Sequence, residues 1–113
     1  MELPEEESDK VLKVLLQKGV DKIDLSMFDE AFRLELLKKA ADVFFSNNNY
    51  SEAIKACKLI GDKDRLNNLG DAFLKSGLLS NALYAYEAAG NNLMVDFIKQ
   101  NFEENKYKGK IYI

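Results

Sequence analysis

The sequence contains no histidine, no tryptophan, one cysteine and one proline. Without histidine the chain lacks the commonest general base near neutral pH and the commonest metal ligand. One cysteine, Cys57, can form neither an intrachain disulfide nor a cysteine-based zinc site. With no imidazole to activate it, Cys57 reads as a buried structural thiol within an apolar helical pattern. No run of about 18 apolar residues occurs, which argues against a membrane span. The start, Met1-Glu2-Leu3-Pro4-Glu5-Glu6-Glu7, is acidic where a signal peptide is basic and then apolar. The cytoplasm is therefore the expected compartment. Positive charge is also short: sixteen Lys and Arg stand against nineteen Asp and Glu, for a net charge of −3. That balance argues against a nucleic-acid partner, since phosphate binding needs a concentrated positive field. No glycine-rich phosphate-binding motif is present.

What remains is 113 residues, 47% apolar and 31% charged, an ordinary balance for one globular domain. Apolar residues recur with a period near 3.6 almost throughout, which predicts an all-α fold of about six helices. The first helix is expected from Glu5 to Lys18. Its acidic first turn suits the helix dipole, its buried stripe is Val11, Leu12, Leu15 and Leu16, and Gly19 ends it. Ile23 and Leu25 are expected to turn inward in the following loop. Ser26, with Asp29 three residues on, predicts the cap of a second helix running to Ser46. Its wide apolar band is Phe28, Phe32, Leu36, Leu37, Ala40, Ala41 and Phe44. Asn47-Asn48-Asn49 breaks it, because Asn tolerates the left-handed backbone of a tight turn. Ser51 is the expected cap of a third helix ending at Gly61. Asp62 or Lys63 opens a fourth, ending near Gly77, and Ser80 caps a fifth, ending at Gly90. Asn91 or Asn92 opens a sixth, from Leu93 to about Glu104, with Leu93, Val95, Phe97, Ile98 and Phe102 available for packing.

Displaced by one fixed offset, the sequence matches itself. Asp42 falls on Asp71, Phe44 on Phe73, Ser51 on Ser80, Ala53 on Ala82, Ala56 on Ala85 and Gly61 on Gly90. Each unit reads helix, short turn, helix, glycine. A period of this size is the signature of stacked helical hairpins. Close packing of two helices needs small side chains, which Ala41 and Gly70 supply on the first helix of each unit and Ala53 and Ala82 on the second. The second unit, with Leu66, Leu69-Gly70, Phe73, Ala82, Tyr86 and Ala89, resembles a tetratricopeptide repeat. The first follows with Leu37, Ala40-Ala41, Phe44, Tyr50, Ala53, Cys57 and Ile60. The period is 29 rather than the 34 of that family, and the proline near the repeat end is missing. The shortened hairpins are also similar to the helical solenoids of vesicle-coat and intraflagellar-transport proteins. The resemblance implies antiparallel helical hairpins stacked as a short right-handed α-solenoid. Its parts would be an N-terminal capping segment over 1–33, repeats over 34–62 and 63–91, a capping helix over 92–104 and a tail over 105–113.

Nothing in the sequence points to catalysis, a cofactor or a metal. Glu5 to Glu7 read as a solvated helix start. Asp62-Lys63-Asp64 reads as a helix cap, since the Asp and Gly of a calcium loop do not follow. The tail, where Lys106, Lys108 and Lys110 alternate with Tyr107 and Tyr112, reads as a frayed or docked terminus. In tetratricopeptide hairpins the first helix of each unit lines the concave face. The resemblance therefore places Lys38, Asp42 and Phe45 there from the first unit, and Asn67, Asp71 and Leu74 from the second. An acid followed three residues later by an apolar residue shares one helix face with it, and suits a peptide of basic and apolar groups. The expected function is a non-catalytic protein–protein interaction module, an adaptor or scaffold binding a peptide or partner protein. The alternative is a self-associating structural subunit, or a fragment of a larger helical solenoid.

Overall fold

The repeat is written into the backbone hydrogen bonds of the turns. In the computed structural model, which describes residues 5–102, the first hairpin turns at Asn48 with φ of 61° and the second at Gly77 with φ of 77°. These two residues stand one repeat period apart, and only Asn and Gly adopt that backbone readily. The amide of Asn49 then donates to the carbonyl of Phe44 at 2.8 Å, and that of Leu78 to Phe73 at 2.9 Å. Both bonds close the helix end with a left-handed residue, satisfying a carbonyl that the last turn leaves free.

Among the described residues the chain is all-α, with six α-helices and no strand: α1 (Glu5–Lys18), α2 (Glu30–Ser46), α3 (Tyr50–Ile60), α4 (Lys63–Lys75), α5 (Leu79–Ala89) and α6 (Asn92–Asn101). One 3-10 turn, Val20–Lys22, follows α1. The last helix ends at Asn101, with Phe102 as its C-terminal cap, short of the expected end near Glu104; the tail over 105–113 lies outside the described residues. The chain divides into two compact units, one up to Gly61 and one from Asp62.

In the first unit α2 packs along α3, and α1 lies against α2. Leu15, Val20, Leu36, Leu37, Phe44 and Ile54 are buried there, with Ala40, Ala41 and Ala53 fully so. The sequence expectation for the start of α2 is corrected. Asp29, not Ser26, is the cap: its carboxylate accepts from the Phe32 amide at 2.9 Å. The Ser26 amide is engaged by the Asp24 carboxylate at 2.9 Å, which keeps residues 26–28 in a turn. Phe28 therefore lies ahead of the helix, its ring 4.7 Å from that of Phe32. Glu52 ties the 3-10 turn to α3. One carboxylate oxygen accepts from the Val20 amide at 2.7 Å and the other from Lys55 Nζ at 3.2 Å. Lys55 also meets Asp21 at 2.9 Å. The Asp21 carboxylate, and after it that of Glu52, holds the Lys55 ammonium above the usual lysine range.

In the second unit α4 packs along α5, and α6 lies against α5. Leu66, Phe73, Tyr86 and Ile98 are buried. Two further cap assignments are corrected. Asn49 rather than Ser51 caps α3, accepting from the Glu52 amide at 3.4 Å. In α5 the capping position falls on Leu78, which has no side-chain acceptor, and Ser80 lies inside the helix. The Schellman-type bonds of Asn49 and Leu78 fix where each second helix begins, ahead of where a serine cap would start it. The expected caps at Asp62 and Asn91 are found, accepting from the amides of Arg65 and Met94, each at 3.1 Å.

Candidate functional site

Lys38, Asp42 and Phe45 follow one another on α2 at intervals of four and three, and so share one helix face. Lys38 and Asp42 are exposed, and Phe45 is half-buried. The Phe45 ring lies 6.5 Å from that of Tyr50, inclined at 50°. Tyr50 in turn donates its hydroxyl to the Asn48 side-chain oxygen at 3.0 Å. This face therefore carries two charges of opposite sign and one aromatic edge supported from the turn below.

Asn67, Asp71 and Leu74 share the equivalent face of α4. Here the polar groups are engaged within the unit. The Asn67 side-chain oxygen accepts from the Asn91 amide group at 2.8 Å, and the Asp71 carboxylate accepts from the Tyr86 hydroxyl. Asp71 remains exposed and Leu74 is half-buried. The structure thus brings each triad together on its own helix. Asp71 differs from Asp42 in that it anchors a buried phenol.

The Tyr86 phenol is where sequence reasoning saw least. Its ring is fully buried. Burial, then the hydrogen bond to Asp71 and the charge of that carboxylate, push the hydroxyl far above the usual phenol range. An ionising group whose folded pKa is raised stabilises the fold below its unfolded pKa, about 10 for tyrosine, and that stability is lost as pH rises further. Tyr86→Phe is therefore expected to cost about 1.5–3 kcal/mol at pH 7, the worth of a hydrogen bond to a charged acceptor. Above pH 10 the wild type should lose stability faster than the variant, by about 1.4 kcal/mol per pH unit. Urea titrations at pH 7, 10 and 11 check this; parallel curves would show that Tyr86 is not the titrating group. A signal for the pair was present in the sequence. Where the first unit has Ala41 and Cys57, the second has Gly70 and Tyr86, a small residue shrinking as its partner grows.

The first unit also holds an open cavity of about 390 Å³, walled by Val20, Ile23, Leu25, Leu37 and Leu59 and reached by Arg33. The Arg33 guanidinium donates to the carbonyl of Phe28. Ile23 and Leu25 are half-buried on its wall, turned inward as their pattern predicts.

No helix among the described residues is long and apolar enough to cross a membrane. None of them form a group of three or more acidic, cysteine or histidine side chains that could hold a metal ion. No family model, curated protein or solved structure matches the chain, so its own residues carry what can be said of its role.

Proposed function

We propose that this chain is a non-catalytic interaction module of the cytoplasm, built of two tetratricopeptide-like hairpins stacked as a short right-handed solenoid. It binds a protein or peptide partner through the first helix of each hairpin. The observation that supports this reading is the recurrence, one repeat period apart, of the same turn and the same first-helix face. Repetition of a scaffold with variation on its exposed face is how helical-hairpin arrays present binding surfaces. Lys38, Asp42 and Phe45 on one hairpin, and Asn67, Asp71 and Leu74 on the other, are the residues that would meet the partner. Charges on the rim set the rate of association, and half-buried apolar groups set the rate of release.

The test is affinity capture from a native lysate with the wild type and with Asp42→Lys, each checked for helicity. Asp42 is exposed, so the variant should fold. Loss of a specifically captured partner supports the reading. Unchanged capture moves the binding surface elsewhere, and sedimentation of the wild type as an oligomer with nothing captured replaces it with self-association.

A further inference from the structure

We infer that the cavity of the first unit binds a small organic acid, a short apolar body carrying one carboxylate, with Arg33 as the partner of that carboxylate. The inference does not rest on the interaction-module reading and uses none of its residues.

The cavity persists because polar ties hold its walls apart. The segment between α1 and α2 carries one 3-10 turn and otherwise no regular structure. It is fastened along its length. Glu52 holds the Val20 amide at 2.7 Å, and Lys55 meets Asp21 at 2.9 Å. Asp24 holds the Ser26 amide at 2.9 Å, and the Leu25 carbonyl accepts from the Phe28 amide at 3.1 Å. The Arg33 guanidinium then reaches back from α2 to the Phe28 carbonyl. A segment tied in this way cannot drop onto α2 and α3 and fill the space beneath it. The site is therefore preformed, as small-molecule sites usually are. Its volume of about 390 Å³ stands at the small end of the range for such sites, about 300–1,000 Å³.

The lining states the chemistry of the ligand. Val20 and Leu37 are buried and form the floor. Ile23 and Leu25 are half-buried walls, and Leu59, 61% exposed, stands at the rim. Ser26 and Arg33 are the polar members of the lining. Ser26 is exposed and offers a neutral hydroxyl. Arg33 is half-buried, and its bond to Phe28 leaves most of its N–H donors unspent. Among the described residues it joins no ion pair. The carboxylate of Asp29, which caps the same helix, accepts from the Phe32 amide.

A half-buried cation beside apolar walls is complementary to an anion with an apolar body. A carboxylate matches the planar guanidinium fork with paired hydrogen bonds. A phosphate monoester would bring more negative charge than one arginine answers. A neutral oil would leave the guanidinium unsatisfied, and an amine would be repelled. The small volume limits the body to a short chain or one ring.

Octanoate is the probe, with octanol and octylamine as its neutral and cationic counterparts. Each is titrated into the full chain and followed by amide chemical shifts. Saturable shifts with octanoate are expected at residues 20–26, Arg33, Leu37 and Leu59. Half-saturation should fall at about 1 mM, the affinity that some ten heavy atoms support. Octanol should bind about tenfold more weakly, having lost the charge-assisted bonds, and octylamine should not saturate. Arg33→Gln should abolish the preference for octanoate over octanol, and Arg33→Lys should keep part of it. Should Arg33→Gln lose helicity, Leu59→Asp is the second variant. Leu59 is exposed, so the fold should stand, and a carboxylate at the rim should weaken octanoate while sparing octanol. Equal binding of octanoate and octanol, shifts centred elsewhere, or no saturation by about 10 mM would overturn the inference. So would a leucine-ending peptide with a free C-terminus that binds more tightly than octanoate while its amidated form does not, since the occupant would then be a chain terminus. Lysate capture and its sensitivity to Asp42→Lys are read separately, so the proposed function stands or falls on its own test.

Discussion

Gly70→Leu is expected to cost the second unit about 3 kcal/mol, the upper range for overpacking a filled core. A Cβ atom at Gly70 would lie 2.5 Å from Tyr86 Cε1 and 2.7 Å from Cδ1 and Cζ. Atoms do not approach that closely, so the ring or the helix must move. The ring has little freedom to do so, being fully buried and held at its far end by the hydrogen bond to Asp71. Even Gly70→Ala should destabilise, although alanine is favoured over glycine within a helix by about 1 kcal/mol. The first unit shows the other solution, with Ala41 and Cys57 at the same register, both fully buried. The double variant Gly70→Ala with Tyr86→Cys should therefore be more stable than the sum of its single changes, by about 1–3 kcal/mol. Urea unfolding followed by helicity, together with hydrogen exchange of the α4 and α5 amides, measures the coupling. Simple additivity would mean that the Gly70–Tyr86 contact does not set the spacing of the two helices.

That contact shows why part of the molecule was legible in the sequence. Helices were legible because their signals are local. Apolar spacing, Asp62 and Asn91 ahead of α4 and α6, and Gly61 and Gly90 behind α3 and α5 each act within a turn or two. The expected α1, Glu5–Lys18, coincides with the helix found. Gly70 was legible as a close-packing point because the repeat set it beside Ala41. The caps were read less well. Serine and asparagine both accept from the amide three residues on, and the choice between Ser51 and Asn49 depended on the Asn49-to-Phe44 backbone bond. Least legible were bonds between residues far apart in sequence. Glu52 holding the Val20 amide spans 32 residues, and Asn91 holding Asn67 spans 24. The face of α4 looked like a free acid and a free amide. Asp71 and Asn67 are instead engaged, because a phenol on α5 and an amide ahead of α6 reach them. The apolar face of α6 was visible as residues but was read as packing surface. Exposure of Leu93 separates the two meanings.

Phe44→Ala is expected to cost the first unit about 3–5 kcal/mol, and Phe45→Ala about 1 kcal/mol. Phe44 is 3% exposed, and truncating a ring so enclosed loses its transfer energy and leaves a cavity. Phe45 is half-buried. Its ring contact with Tyr50 is of the kind worth about 0.5–1.5 kcal/mol, and water can fill the space it vacates. The neighbours differ because successive helix positions are about 100° apart, which turns Phe44 toward the core and Phe45 toward the margin of the Lys38 and Asp42 face. Thermal or urea unfolding of the two single variants gives the stability contrast, and partner capture gives the functional one. If Phe45 anchors a partner, Phe45→Ala should weaken capture by about 2 kcal/mol, more than it weakens the fold. Equal destabilisation by the two variants would make Phe45 a core residue with no surface to offer. Full stability and full capture together would leave the α2 face without an anchor and move the binding surface elsewhere.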